Sequence, residues 1–173
     1  MSVHGFVLGK FMPPHLGHVH LCEVAQQMSD ELTIVVASLA SEPIAGALRV
    51  AWMRELMPAA QVVHHVAELP QEPADHPEFW KLWRESLLSI LPRPPDRVFS
   101  SDGYGLRLAA ELGASWIPVD PRRSVFSTSG TAIRRDPMQH FDALPRCVRP
   151  YFVRRVSVFG PESTGKSTLA AEL

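Results

Sequence analysis

The chain has 173 residues, 46% hydrophobic and 20% charged, with a formal net charge of −1. This composition fits one folded domain of ordinary size and excludes a disordered chain, and near-neutral charge excludes a general nucleic-acid binder, which would present a strongly basic face. Two cysteines, Cys22 and Cys147, exclude a disulfide framework; with no basic-then-apolar leader and no apolar run long enough to span a bilayer, they point to a cytoplasmic protein with no membrane partner.

The first apolar run, residues 3–8, predicts a strand, and residues 17–28 predict the first helix. Between them stands Gly9-Lys10-Phe11-Met12-Pro13-Pro14-His15-Leu16-Gly17-His18. In an open α/β sheet a strand-to-helix turn lies at the carboxyl end of the strand, where ligands bind. The unpaired N–H groups and positive dipole end of the helix suit phosphate there. His15 and His18 can each donate a hydrogen bond to a phosphate oxygen without permanent charge. Gly17 leaves room for the phosphate chain, and Lys10 adds a cation. Alone, two loop histidines would read as plain surface residues; the rigid proline turn and Lys10 favour the phosphate reading. The arrangement resembles the HxGH signature of the nucleotidyltransferase superfamily, which moves nucleotidyl groups between phosphates.

A strand over 32–38 is followed by a helix over 46–56, where Arg49 reads as part of a solvated face or as a phosphate-holding cation. The strand over 61–66 carries His64 and His65, which adjoin and so point to opposite sheet faces. In the helix over 77–91, Trp80 and Trp83 lie three apart, either as a core stripe or with one of them as a flat stacking surface. A strand over 97–100 leads through Asp102 to a helix over 104–112 and a strand over 115–119. This alternation predicts an α/β fold, a doubly wound parallel sheet of Rossmann-like type. A switch point beside the first strand would gather His15, His18 and Asp102 around one crevice.

The segment Ser127-Thr128-Ser129-Gly130-Thr131-Ala132-Ile133-Arg134 opens a helix over 130–136. Its plain reading is a helix cap at Ser129. Beside the histidine motif it reads instead as a second phosphate cradle, with Ser129, Gly130 and Thr131 on the phosphates and Arg134 as a bidentate cation. No zinc-ligand spacing and no Ser/His/Asp order stands out, so no metal is expected on protein side chains.

After Pro145 the chain turns basic over 146–155, then predicts a strand over 156–159 running into Gly160-Pro161-Glu162-Ser163-Thr164-Gly165-Lys166-Ser167. That is a complete phosphate-loop pattern, with Gly160, Gly165, Lys166 and Ser167 at its fixed positions. We read residues 1–150 as one domain and 151–173 as the truncated start of a second.

Taken together, the motifs resemble a nicotinamide-nucleotide adenylyltransferase, specifically that half of the bifunctional nicotinamide-nucleotide adenylyltransferase/ribosylnicotinamide kinase family. The resemblance rests on the histidine segment, on Asp102-Gly103-Tyr104-Gly105, on Val119-Asp120-Pro121-Arg122 running into Ser129–Arg134, and on the terminal phosphate loop. It implies transfer of AMP from ATP, carried with Mg²⁺, to nicotinamide mononucleotide, giving NAD and pyrophosphate. It further implies that Lys10, His15, His18 and Arg134 act on the phosphates. Gly9, Phe11, Gly17, Asp102, Ser129, Gly130 and Thr131 would line the ATP site, and Arg49 and Trp80 would hold the mononucleotide. The phosphate loop is expected to be idle in this chain, its kinase domain belonging to a longer protein. Two alternatives from the same resemblance are another HxGH enzyme, of pantetheine-phosphate or cytidylyl type, and a non-catalytic NAD or ATP sensor. The assembly state stays open, a homo-oligomer included.

Overall fold

The computed structural model describes residues 2–153 and 157–172. Five strands, β1 (His4–Gly9), β2 (Glu31–Ser38), β3 (Gln61–Val66), β4 (Arg97–Ser100) and β5 (Ser115–Pro118), form one sheet in the order β3-β2-β1-β4-β5. Every neighbouring pair is parallel. The connections are α1 (Leu16–Gln27), α2 (Gly46–Leu56), α3 (Phe79–Ile90) and α4 (Tyr104–Leu112). Beyond β5 come α5 (Gly130–Arg135), a short 3-10 turn at Phe141–Ala143, α6 (Arg149–Phe152) and α7 (Lys166–Glu172). The strands and helices expected for residues 3–136 are all present, with ends displaced by at most two residues.

The central strands are apolar on both sides because both faces are covered, as parallel sheets require. Successive residues divide between two cores. Val7, Ile34, Val36 and Phe99 meet Leu21 and Cys22 of α1 and Val50 and Met53 of α2. Phe6, Val35 and Val98 meet Leu87 of α3 and Leu108 and Leu112 of α4. The doubly wound expectation holds. A third, smaller cluster of Ile44, Trp52, Ile133, Leu144 and Val148 fastens α5 to α2 away from the sheet.

The strand order reverses between β1 and β4, so the loops following these two strands part and leave a crevice at their carboxyl ends. His64 and His65 do separate to opposite faces, His64 bonding Ser38 Oγ at 2.8 Å and His65 bonding Ser86 Oγ at 2.9 Å. Helix α6 runs to Phe152, which packs on the third cluster, and Tyr151 meets Trp52 edge-on at 5.5 Å. Of the strand expected over 156–159, Val156 lies outside the described residues, and 157–159 take no strand conformation. Among the described residues no strand pairs with 157–159, and Phe159 is 90% exposed. No helix among the described residues is long and apolar enough to cross a membrane.

Candidate active site

Helix α1 begins with two histidines that cap each other. His15 is the residue before the first turn, in extended conformation (φ −140°, ψ 170°), and its Nδ1 accepts from the Gly17 N–H at 3.2 Å. His18 Nδ1 accepts from the His15 N–H at 3.3 Å. Backbone N–H groups only donate, so both Nδ1 atoms act as acceptors and each ring carries its proton on Nε2. The rings stack at 3.8 Å, and the buried Phe11 ring meets His18 edge-on at 5.0 Å. Burial, with the Arg123 guanidinium nearby, pulls the His15 imidazole down to about 4. Burial, the adjacent His15 and Arg123 together hold His18 well below the ordinary histidine range. At neutral pH the pair is therefore two uncharged Nε2–H donors of fixed tautomer.

Gly17 answers to packing as well as to ligand approach. A β-carbon there would sit 3.0 Å from the His15 ring and 3.4 Å from Phe126, forcing the capping imidazole to move.

The second wall of the crevice comes from the segment after β5. Ser129 caps α5, its Oγ accepting from the Ala132 N–H at 3.1 Å, so the plain cap reading is correct. Ser129 and Gly130 nevertheless line the same crevice as His15, Gly17 and His18. Gly130 is required by close approach: a β-carbon would fall 2.7 Å from the Met12 carbonyl oxygen. Arg134 locks that junction from the other side, donating to the same Met12 oxygen, and from Nη2 to the Thr131 hydroxyl at 3.2 Å. The cavity encloses about 110 Å³, closed by Ser101, Asp120, Arg123, Phe126, Thr128 and His20.

Other expected residues fall elsewhere. Asp102 does not line the crevice; Ser101 takes that place, because the β4–α4 turn leaves Asp102 exposed, its carbonyl accepting from Ser100 Oγ at 3.0 Å. Gly9 closes β1 against the Phe11 ring, and Phe11 itself is a core residue beneath His18. Thr131 supports Arg134 at the exposed start of α5.

Lys10 faces a second, smaller hollow, where its Nζ lies 3.0 Å from Glu42 Oε1. Arg49 does not line this hollow but pairs with its Glu42 from beneath, and its solvated-face reading is overturned, since its side chain is 0% exposed. Its Nη2 donates to Glu42 Oε2 at 2.5 Å and its Nη1 to the Lys10 carbonyl at 2.6 Å and the Ala37 carbonyl at 3.3 Å, leaving only Nε without a partner. The two cations and a Leu39 N–H bond outweigh the cost of burial and hold the Glu42 carboxyl below its usual range.

Trp80 and Trp83 both line a third hollow, of about 150 Å³, with Leu8, Phe79, Tyr104 and Leu108. Trp83 is fixed by its Nε1–H on the Pro70 carbonyl at 2.9 Å and Trp80 by an edge-on contact with Phe79 at 5.0 Å. Trp80 thus packs on the second core and also walls a cavity.

The phosphate loop stands apart and exposed. Lys166 turns back onto the Pro161 carbonyl, and Gly165 adopts φ 75°. Among the described residues no three His, Cys, Asp or Glu side chains gather closely enough to hold a metal ion.

Sequence reasoning gave no role to Glu42, Ser101, His20 or Arg123, and quoted Asp120 within a motif without assigning it one. The Asp-Pro pair there opens a turn, a signal that could have given Asp120 its bracing role.

No family model matches the chain. It is 30% identical over 188 aligned positions to the trifunctional NAD biosynthesis/regulator protein NadR of Escherichia coli (strain K12), covering 98% of this chain and 45% of that protein. The chain therefore spans less than half the length of this relative. It is also 30% identical over 160 positions to the nicotinamide-nucleotide adenylyltransferase of Aeropyrum pernix, covering 89% of this chain and 90% of that protein. Among solved structures, NadR protein in complex with NAD and AMP-PNP superposes with a TM-score of 0.69 at 25% identity, over 99% of this chain and 52% of that one.

Proposed function

As the chain belongs to the nicotinamide-nucleotide adenylyltransferase family, we propose that it transfers AMP from ATP to nicotinamide mononucleotide, releasing pyrophosphate and forming NAD. The observation that carries this reading is the pair of neutral, tautomer-fixed histidines sharing one crevice with Ser129 and Gly130. Such a site offers uncharged N–H and O–H donors beside a cation, which suits a polyphosphate.

In the proposed reaction the 5′-phosphate oxygen of the mononucleotide attacks the α-phosphorus of ATP. The bond from that phosphorus to the bridging oxygen breaks, and pyrophosphate departs with the electron pair. The attacking oxygen is already ionised, so no general base is needed, and the protein contributes positioning and charge stabilisation. His15 and His18 donate from Nε2, and Ser129 and Gly130 offer hydroxyl and backbone N–H groups, with Thr131 supporting Arg134 beside them. Arg134 keeps that cradle against Met12. Lys10 supplies a cation from the second hollow, and Arg49 sets its main chain through the Lys10 carbonyl. Mg²⁺ would ride on the phosphate oxygens and would neutralise charge there.

The direct test supplies ATP, Mg²⁺ and a panel of acceptors: nicotinamide mononucleotide, pantetheine phosphate, and choline phosphate with CTP. NAD and pyrophosphate from the first alone support the reading; products from another acceptor, or none, refute it.

Two further results are expected. Trp80→Ala weakens the mononucleotide by about 1 kcal/mol, an aromatic-stacking magnitude, with the Michaelis constant for ATP unchanged. A purely structural Trp80 would instead lower the melting temperature and affect both substrates equally. Lys166→Ala leaves NAD formation within two-fold of the parent, since Lys166 is turned onto its own loop; a ten-fold loss would place the phosphate loop in the site.

A further inference from the structure

We infer that Arg123, which belongs to neither phosphate motif, is a further residue binding the phosphate chain of ATP, held over the crevice by a loop that the Asp120 carboxylate braces. The inference rests on the adenylyltransferase reading and adds a residue to its donor side.

Arg123 lines the crevice together with His15, His18 and Ser129. Among the described residues its guanidinium makes no ion pair and no hydrogen bond, and it is the arginine that lines the crevice, whereas Arg134 and Arg49 nearby are tied to protein oxygen atoms. A planar guanidinium with free N–H groups, next to two uncharged N–H donors, is complementary to phosphate oxygens, which it can take two at a time. The crevice's own carboxylate does not oppose this, because Asp120 is consumed by the loop. Its Oδ1 accepts from the Ser124 N–H at 2.7 Å and hydroxyl at 2.8 Å, and its Oδ2 from the N–H groups of Val125 at 3.0 Å and Phe126 at 3.3 Å.

The backbone agrees. Asp120 and Arg123 adopt φ of 45° and 51°, a left-handed region that side chains other than glycine's occupy only under constraint. The Arg123 N–H closes this turn on the Asp120 carbonyl at 2.9 Å. At the far end of the loop Phe126 packs against His20 of α1 at 5.7 Å. The constrained turn thus sets a free cation beside the neutral histidine pair.

The test titrates ATP with Mg²⁺ into the parent, Arg123→Ala and Arg123→Lys chains without acceptor, and then measures NAD formation and melting. Arg123→Ala should weaken ATP ten-fold or more and lower kcat/KM for ATP ten- to hundred-fold. The Michaelis constant for the mononucleotide and the melting temperature should stay within two-fold and 2 °C. Arg123→Lys should recover less than half of the lost affinity, since an ammonium lacks the planar fork. Asp120→Asn should shift ATP affinity in the same direction with Arg123 intact. ATP affinity of Arg123→Ala within two-fold of the parent overturns the inference, as does an equal loss on both substrates. A parent that binds ATP yet forms no NAD overturns the adenylyltransferase reading alone, because the titration reads Arg123 separately.

Discussion

Replacing His18 by Ala is expected to lower turnover at saturating ATP by a hundred- to a thousand-fold, about 3 kcal/mol, the cost of removing one preorganised donor from developing charge. The variant also loses a cap, because His18 Nδ1 accepts from the His15 N–H, and helix caps are worth about 1 kcal/mol. His18→Asn separates the effects: its amide oxygen can accept from the same N–H but cannot reach the phosphates, so melting should recover while turnover stays low. The acidity profile follows from the same geometry. A histidine free in the unfolded chain titrates near its ordinary value, about 6.5, whereas His15 is held down to about 4. Between those values the unfolded chain binds more protons than the folded one, so stability falls as pH drops from 6.5 towards 4. Activity, by contrast, should show no histidine limb between pH 6 and 8, because both imidazoles remain neutral. A turnover of His18→Ala within a few-fold of the parent, or a sharp activity step near 6.5, would remove the pair from the mechanism.

Much of this architecture was legible from residue pattern alone, since the β-branched runs are well separated by helical ones and bounded by glycine and proline. The switch-point rule located the crevice beside the histidine motif but named Asp102, where Ser101 stands; Ser129 and Gly130 were joined to it by their phosphate-cradle pattern. What escaped depends on contacts that no periodicity encodes. Arg49 stands in the buried stripe of α2 with Val50, Trp52 and Met53, and its partner Glu42 belongs to the preceding loop, so nothing local announces a buried charge. Arg123 follows an equally exposed Arg122, and only the left-handed turn at Asp120 and Arg123 decides which of the two faces the crevice. The tautomers of His15 and His18 are set by individual N–H groups, below the resolution of any motif.

The second large effect belongs to Arg49. Arg49→Met is expected to cost about 3–5 kcal/mol, because it strands Glu42 beside Lys10 and frees the Lys10 and Ala37 carbonyls. For a chain of this size that is a melting-temperature drop on the order of 10 °C. Combining it with Glu42→Gln should recover part of the loss, since the remaining buried charge is removed; a double variant no more stable than the single one would show that packing, not charge, sets the cost. Arg49→Lys should not restore the parent, because one ammonium cannot reach three oxygens in different directions.

The bond between Arg134 and Met12 spans 122 residues of sequence. During synthesis at roughly 5–20 residues per second, Met12 leaves the ribosome about 6–25 seconds before its partner. The histidine turn is thus made early, while its opposite wall arrives last among the pieces of the crevice. Until then a nascent chain can assemble β1, β2 and β3 but has no enclosed place for a nucleotide. The order of synthesis thus makes the closing of the crevice a late step in its assembly.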